Sequence, residues 1–353
     1  MTRLGRVSYR RTYYYDSSSY GGQSPLDDAL GIVEALSNGV RHDIVKLSAD
    51  RTFEEAAQLY DELMRVKVGT TTIWEKAQAA GTLARPALNP ISTTRMSNER
   101  PSTGMAILMD GFMAPVRKEG WKEVKIGCVC AFEPTGEVEI RKVGKEPIEV
   151  VRAFDQSFVM HLGGPEGFSV KLAAEVQARR WHAAPERSVL GDGAIWIWNI
   201  AKHDYPNAAH EVDWYHGKEH LYAAADMIYL DQPDQAHAWV DRQADLLYAG
   251  QANTIADSLL ILAALANPTG REKLESEAGY FSNNHERMQY RDFQQAGLPI
   301  GSGTIESGAK RTKKRVASSG MRWSRPGLEN MLALRAASMS HSFDDLWQRI
   351  CPF

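Results

Sequence analysis

Apolar and polar positions along the chain follow two different periods, and the changes between them mark the elements. Ser48–Leu63 carries apolar residues at Phe53, Ala56, Ala57, Tyr60 and Leu63, the three-and-four spacing of an amphipathic helix. Thr52 and Glu55 are spaced as its capping box. After the link RVKVGT, the run TTIWEKAQAAG predicts a second short helix closed by Gly81. Two helices across a turn at Gly69 fit either a helix-turn-helix DNA reader or a plain helical hairpin. Residues 82–103, rich in Pro, Ser and Thr, read as a linker. The period then changes to two: AILMDGFMAPV, KIGCVCAFE and EVEIRKVG predict an antiparallel meander over Ala106–Gly144.

Helical spacing returns in SVKLAAEVQARRWHA. In SVLGDGAIWIWNIA a short strand ends on Gly191-Asp192-Gly193 and leads into a Trp-rich helix, in which Trp196 and Trp198 read as packing residues. HEVDWYH predicts one more strand, with Asp213 and His216 at its polar end. From Lys218 to about Tyr290 the pattern is helical throughout, with breaks near Pro233, Asn267-Pro268 and Asn283-Asn284. GLPIGSGTIESGAKRTKKRVASSGMRWS predicts a glycine-marked turn and a strongly basic helix. An apolar helix, Leu328–Met339, and an amphipathic tail follow.

Composition changes this picture little. The chain has 353 residues and a formal net charge of -3, so any nucleic-acid site has to be local rather than a property of overall charge. No apolar run is long enough to span a membrane, and no signal-like stretch opens the chain, which predicts a cytoplasmic protein. Three cysteines, Cys128, Cys130 and Cys351, support neither a disulfide framework nor a zinc ribbon. Cys128 and Cys130 should share one strand face as buried thiols.

Three acids stand out by position. Asp110 precedes Gly111 on a strand, Asp192 lies between two glycines at a strand end, and Glu306 sits early in a helix within SGTIESG. Small neighbours let other groups approach each carboxylate closely. Three converging carboxylates without cysteine suit hard, oxygen-preferring cations such as Mg²⁺. Two such ions can activate an attacking oxygen and stabilise a leaving oxygen in phosphoryl transfer. Lys310, Lys313 and Lys314 share a helix face with Glu306, and Arg311 and Arg315 lie beside them, so this helix is a candidate for holding backbone phosphates. A solvated basic face is the alternative. Arg322 in GMRWS fits either a DNA contact or a structural turn.

The ordered blocks around Asp110 (LMDGFMAPVRKEGWKEVKIG), Asp192 (GDGAIWIWNIA), DWYHGKEHL, LPIGSGTIESGAK and GMRWS resemble those of bacterial insertion-sequence DDE transposases of the ISKra type. The resemblance spans about residues 53–347. It implies an α/β ribonuclease H-like mixed sheet with an all-helical insertion, preceded by a small helical region. It implies Asp110, Asp192 and Glu306 as catalytic, metal-binding residues. Asp213-x-x-His216 matches the [C/D]-x-x-H signature of related Mutator-like transposases, as a supporting site. The implied cofactor is Mg²⁺, two ions, with Mn²⁺ as a substitute. The implied partners are element-end and target DNA, with Lys310, Arg311, Lys313, Lys314, Arg315 and Arg322 as DNA contacts, and a homo-oligomer on DNA near the nucleoid. The implied division is an irregular N-terminal remnant over 1–42, a helical region over 43–95, a first core part over 100–216, the insertion over 217–299 and core completion over 300–353.

Two other functions compete. His216-Gly217-Lys218-Glu219-His220 fits the inverted zinc-peptidase pattern H-x-x-E-H, with Glu272, Glu275, Glu277 or Glu286 as possible third ligands. A decayed transposase that binds DNA without cutting it is the other, because the N-terminal region lacks the cysteine-rich element that relatives often carry. If the DDE reading holds, His216 lies closer to Asp192 than to any of those glutamates.

Overall fold

The computed structural model of the protein describes residues 1–18, 21–88, 102–139 and 148–351. A small hairpin, β1 (Tyr14–Asp16) and β2 (Gly21–Gln23), leads into α1 (Pro25–Ala29), α2 (Asn38–Asp50), α3 (Phe53–Met64) and α4 (Thr70–Ala87). The capping box of α3 forms as its sequence predicts: Glu55 N–H donates to Thr52 Oγ1 at 3.1 Å and Thr52 N–H to Glu55 Oε2 at 2.9 Å. Helix α4 does not stop at Gly81 but runs on to Ala87. Gly81 is there for a close approach, since a Cβ at that position would lie 2.5 Å from Cβ of Asn330 and 2.8 Å from its backbone. The predicted linker therefore begins later than residue 82, and 89–101 lie outside the described residues.

Five strands form one mixed sheet, in the order β5-β4-β3-β6-β7. β3 (Gly104–Val116), β4 (Gly120–Glu139) and β5 (Ile148–Leu162) pair antiparallel, while β6 (Glu186–Gly191) runs parallel to β3 and β7 (Ala209–Val212) parallel to β6. The third strand of the meander is thus β5. The expected strand EVEIRKVG instead supplies the end of β4, and its residues 140–144 lie outside the described ones. β5 carries mixed polarity along its middle, RAFDQS, so period-two alternation does not reveal it.

Between β5 and β7 come α5 (Pro165–Ala178) and α6 (Ile195–Asp204). After β7, α7 (Trp214–Ile228), α8 (Pro233–Tyr248), α9 (Ala252–Leu265), α10 (Pro268–Asn284) and α11 (Tyr290–Gln295) form the helical segment, with the three predicted breaks and a further, unpredicted one at 249–251. The expected strand through His216 ends at Val212, so His216 lies in the first turn of α7. α12 (Gly303–Val316), α13 (Arg325–Met339) and α14 (Phe343–Ile350) complete the chain.

Alternation along β3 divides the protein into two cores. Ala106, Leu108, Phe112, Ala114 and Val116 face one core, shared with α2, α3, α4, α12, α13 and α14, whereas Met105, Ile107 and Met109 face the other, shared with α5, α6 and the helical segment. The N-terminal helices are therefore built into the sheet's own core: α4 packs on α13 and α2. Cys128 and Cys130 are buried together on the α12 side, as their spacing predicts. Trp198 is buried under the Arg287 guanidinium, and half-buried Trp196 lies beneath Lys125 Nζ at 4.3 Å, so both act in packing.

Candidate active site

Strand register brings the acids together. The β3–β6 ladder ends with Leu108 opposite Leu190, and the β6–β7 ladder pairs Leu190 with Glu211 and Gly191 with Val212. Continued by two residues, the same register sets Asp110, Asp192 and Asp213 in one row across three neighbouring strand positions, about 4.8 Å apart per step. Two contacts support it: Asp213 N–H donates to Gly191 O at 2.9 Å, and a Cβ on Gly191 would meet Met109 O at 3.5 Å. Because side chains alternate, this row lies on the face of Leu108 and Leu190, the side covered by α12.

Local contacts hold each acid. Asp110 Oδ1 accepts from Gly111 N–H at 2.6 Å, and Asp192 Oδ1 accepts from Ala194 N–H at 2.9 Å. Asp213 is the N-cap of α7, accepting from His216 N–H at 2.9 Å, while its other oxygen accepts from Ser302 N–H just before α12. Trp214 N–H donates to Ile300 O at 2.9 Å. The buried Asp213 carboxylate thus joins the helical segment to the helix that carries Glu306. Its role is to fix the frame.

Glu306 is half-buried in the first turn of α12 and forms an i,i+4 ion pair with exposed Lys310. Asp110 carries the electrostatic record of the cluster. Its pKa rises from the ordinary 3.8 to about 6, first because burial strips water from the carboxylate. The Gly111 N–H pulls it back, Asp192 raises it, His216 lowers it and Glu306 raises it. All three acids of the expected triad, with His216, therefore share one electrostatic neighbourhood. Carboxylates outnumber cations here, and a hard divalent cation is the natural complement to such a donor set. Among the described residues, no three His, Cys, Asp or Glu side chains already stand as a metal-ligating group. The Glu306 carboxylate is turned to Lys310, an exposed and flexible partner.

The basic helix divides. Lys310, Arg311, Lys313 and Lys314 are exposed, and so is Arg322 in the turn beyond. Arg315 is a correction: it is only 3% exposed. Its Nε donates to Ser48 O at 2.8 Å, and its guanidinium lies over the Phe53 and Trp323 rings at 4.8 and 5.5 Å. Burial lowers its pKa to about 10. Arg315 fastens α12 to the N-terminal helices and cannot reach a phosphate. In GMRWS, Trp323 Nε1 donates to Val316 O at 2.7 Å and Arg117 N–H to Trp323 O at 2.7 Å, a structural turn that leaves the Arg322 side chain exposed.

The H-x-x-E-H residues are engaged in pairs. His216 Nδ1 lies 3.1 Å from Glu219 Oε2, and His220 Nδ1 lies 2.6 Å from Glu277 Oε2. The peptidase reading needs both imidazoles and a third ligand around one ion; the His220 ring is instead stacked on Tyr280, and no such ligand group stands among the described residues. Tyr280 was missed by sequence reasoning. Its hydroxyl donates to the Asp192 carbonyl oxygen at 3.0 Å across 88 residues of sequence, and no local motif encodes such a contact.

A model of the family described as "Uncharacterised protein family (UPF0236)" matches residues 1–344. The chain belongs to that family. No curated protein matches it. Among solved structures it is similar to the Drosophila P element transposase strand transfer complex, at 9% identity over 88% of this chain and 80% of that one, with a TM-score of 0.31. So low a score carries no inference about the site, which stands on its own register and contacts. No helix among the described residues is long and apolar enough to cross a membrane.

Proposed function

We propose that the protein is a DDE-type DNA transposase that cuts a phosphodiester at a mobile-element end and joins the freed 3′-hydroxyl to target DNA. The observation that carries this reading is the β3–β6 ladder, which ends at Leu108 and Leu190, two residues before Asp110 and Asp192, on the face that α12 covers. Asp110, Asp192 and Glu306 would hold Mg²⁺ or Mn²⁺, two hard cations matched to oxygen donors. When bound, the ions neutralise charge on the phosphodiester and activate the attacking oxygen.

The chain's own residues do the rest. Gly111 and Ala194 N–H groups orient the two aspartates. Asp213 fixes the start of α12 against β7, and His216 favours the ionised form of Asp110. Lys310, by leaving Glu306 for a DNA phosphate, would free that carboxylate for an ion. Lys313, Lys314, Arg311 and Arg322 extend the positive surface along the DNA backbone. Such contacts make binding steeply salt-dependent. Two element ends in one complex call for at least a dimer on DNA, in the cytoplasm beside the nucleoid.

The test is cleavage of element-end DNA with Mg²⁺, comparing the chain with Asp192→Asn. The variant should lose at least about 10²-fold in rate, the scale of removing one preorganised electrostatic group. Equal rates sink the assignment. Binding without cleavage by the unmodified chain would identify a decayed transposase instead.

A further inference from the structure

The Asp192 loop is gripped from the helical segment as well as from the sheet. On the sheet side, Asp213 N–H donates to Gly191 O at 2.9 Å, and Asp192 Oδ1 accepts from Ala194 N–H within its own turn. On the other side stands Tyr280 of α10, whose hydroxyl donates to Asp192 O at 3.0 Å. Its ring lies over Gly193, where a Cβ would sit 2.6 Å from Tyr280 Cε2. Gly193 also has φ +107°, a backbone region that disfavours any side chain. Glycine and tyrosine therefore fit each other at the peptide that follows Asp192.

Tyr280 is itself held. Its ring stacks on His220 of α7, with centroids 3.4 Å apart and planes 19° from parallel, and Phe281 meets it edge-on at 5.6 Å. Glu277, one turn earlier on α10, anchors His220 Nδ1 at 2.6 Å. Two helices are thus needed to place one hydroxyl. His220 and Glu277 have no other evident task, and the peptidase pattern that first draws attention to His220 does not account for the stacking on Tyr280.

We propose that Tyr280, locked by His220 and Glu277, is a positioning residue that fixes the Asp192 loop so that its carboxylate is aimed at the shared carboxylate site. The inference rests on the DDE reading and adds to it: the helical segment becomes part of the site rather than an appendage. The physical ground is tolerance. A metal-binding constellation works only when held within about 0.5 Å of its productive geometry, and loss of an outer-shell partner typically weakens metal affinity about 10- to 100-fold.

The experiment measures Mn²⁺ binding to the full chain without DNA, from the paramagnetic resonance signal of free Mn²⁺, for the unmodified chain, Tyr280→Phe, His220→Ala and Asp192→Asn. Thermal midpoints are recorded in EDTA. Tyr280→Phe removes one hydroxyl and keeps the ring, so its midpoint should move by no more than about 3 °C. Its Mn²⁺ affinity should fall about tenfold, and half-saturating Mg²⁺ in DNA cleavage should rise in step. His220→Ala should fall in the same direction. If Tyr280→Phe binds Mn²⁺ like the unmodified chain while Asp192→Asn does not, the positioning role is overturned and the triad stands. If Asp192→Asn also binds normally, or the unmodified chain binds Mn²⁺ neither alone nor with element-end DNA, the DDE reading fails and takes this inference with it.

Discussion

Asp110 gives a prediction that needs no DNA. Its carboxyl titrates at about 6 in the folded chain against 3.8 ordinarily, chiefly because burial strips its water and because Asp192 and Glu306 add negative charge. Those two values lie about two pH units apart, and at 1.36 kcal/mol per unit the folded state is destabilised by about 3 kcal/mol when Asp110 is fully ionised. The sign follows from proton binding. Below about pH 4 folded and unfolded chains both hold the proton, and the penalty is absent. Between pH 4 and 6 the unfolded chain releases its proton first, so stability falls as pH rises, and above pH 6 the whole deficit is present. Asp110→Asn keeps an oxygen to accept from Gly111 N–H and removes the charge. It should be more stable than its parent by up to about 3 kcal/mol at pH 7.5, and indistinguishable near pH 4. Urea unfolding from pH 4 to 8 in EDTA reads the difference directly. Added Mn²⁺ should shrink it, because a cation stabilises the parent's carboxylate and has less to hold in the variant. A difference that stays constant across pH, or a variant less stable at pH 7.5, would refute the claim that burial, helped by the neighbouring carboxylates, raises Asp110.

Three further outcomes follow, two of them from packing. Gly81→Ala should destabilise by about 1–3 kcal/mol despite better helix propensity, because its Cβ would press on the Asn330 backbone of α13; urea unfolding tests this. Along α12, Lys313→Ala and Lys314→Ala should each reduce the salt slope of DNA binding by about one, with little change in stability. Arg315→Met should leave the slope unchanged and lower stability by about 2–4 kcal/mol, since it orphans the Ser48 carbonyl and removes a guanidinium from Phe53 and Trp323.

Much of the site was legible because its parts are local. Asp192 between glycines marks a strand end at any distance from its partners, and Glu306 before a basic run marks the first turn of a helix. The capping box of α3 and the proline-marked starts of α8 and α10 were readable for the same reason: each depends on residues a few positions apart. β5 escaped because its middle mixes polarities along an edge strand, where one side needs no sheet partner. Gly81 misled because glycine ends many helices, and only α13 on the far side shows why this one continues.

What the sequence by itself determined, then, is most of the helices, the glycine-flanked position of Asp192 at a strand end, and the basic character of the helix that carries Glu306. These are set by periodicity and by side-chain chemistry, which act within a turn or two. Tertiary structure alone decided which charges face solvent and which are buried in the frame. Lys313 and Arg315 are two residues apart on one helix, yet one faces solvent and the other is sealed beneath Trp323, because the helix has a buried side only once a sheet lies against it. Tertiary structure also brought Tyr280 to Asp192 across 88 residues. A hydrogen bond between segments so far apart depends on how two helices pack over a strand end, and no spacing along the chain records it.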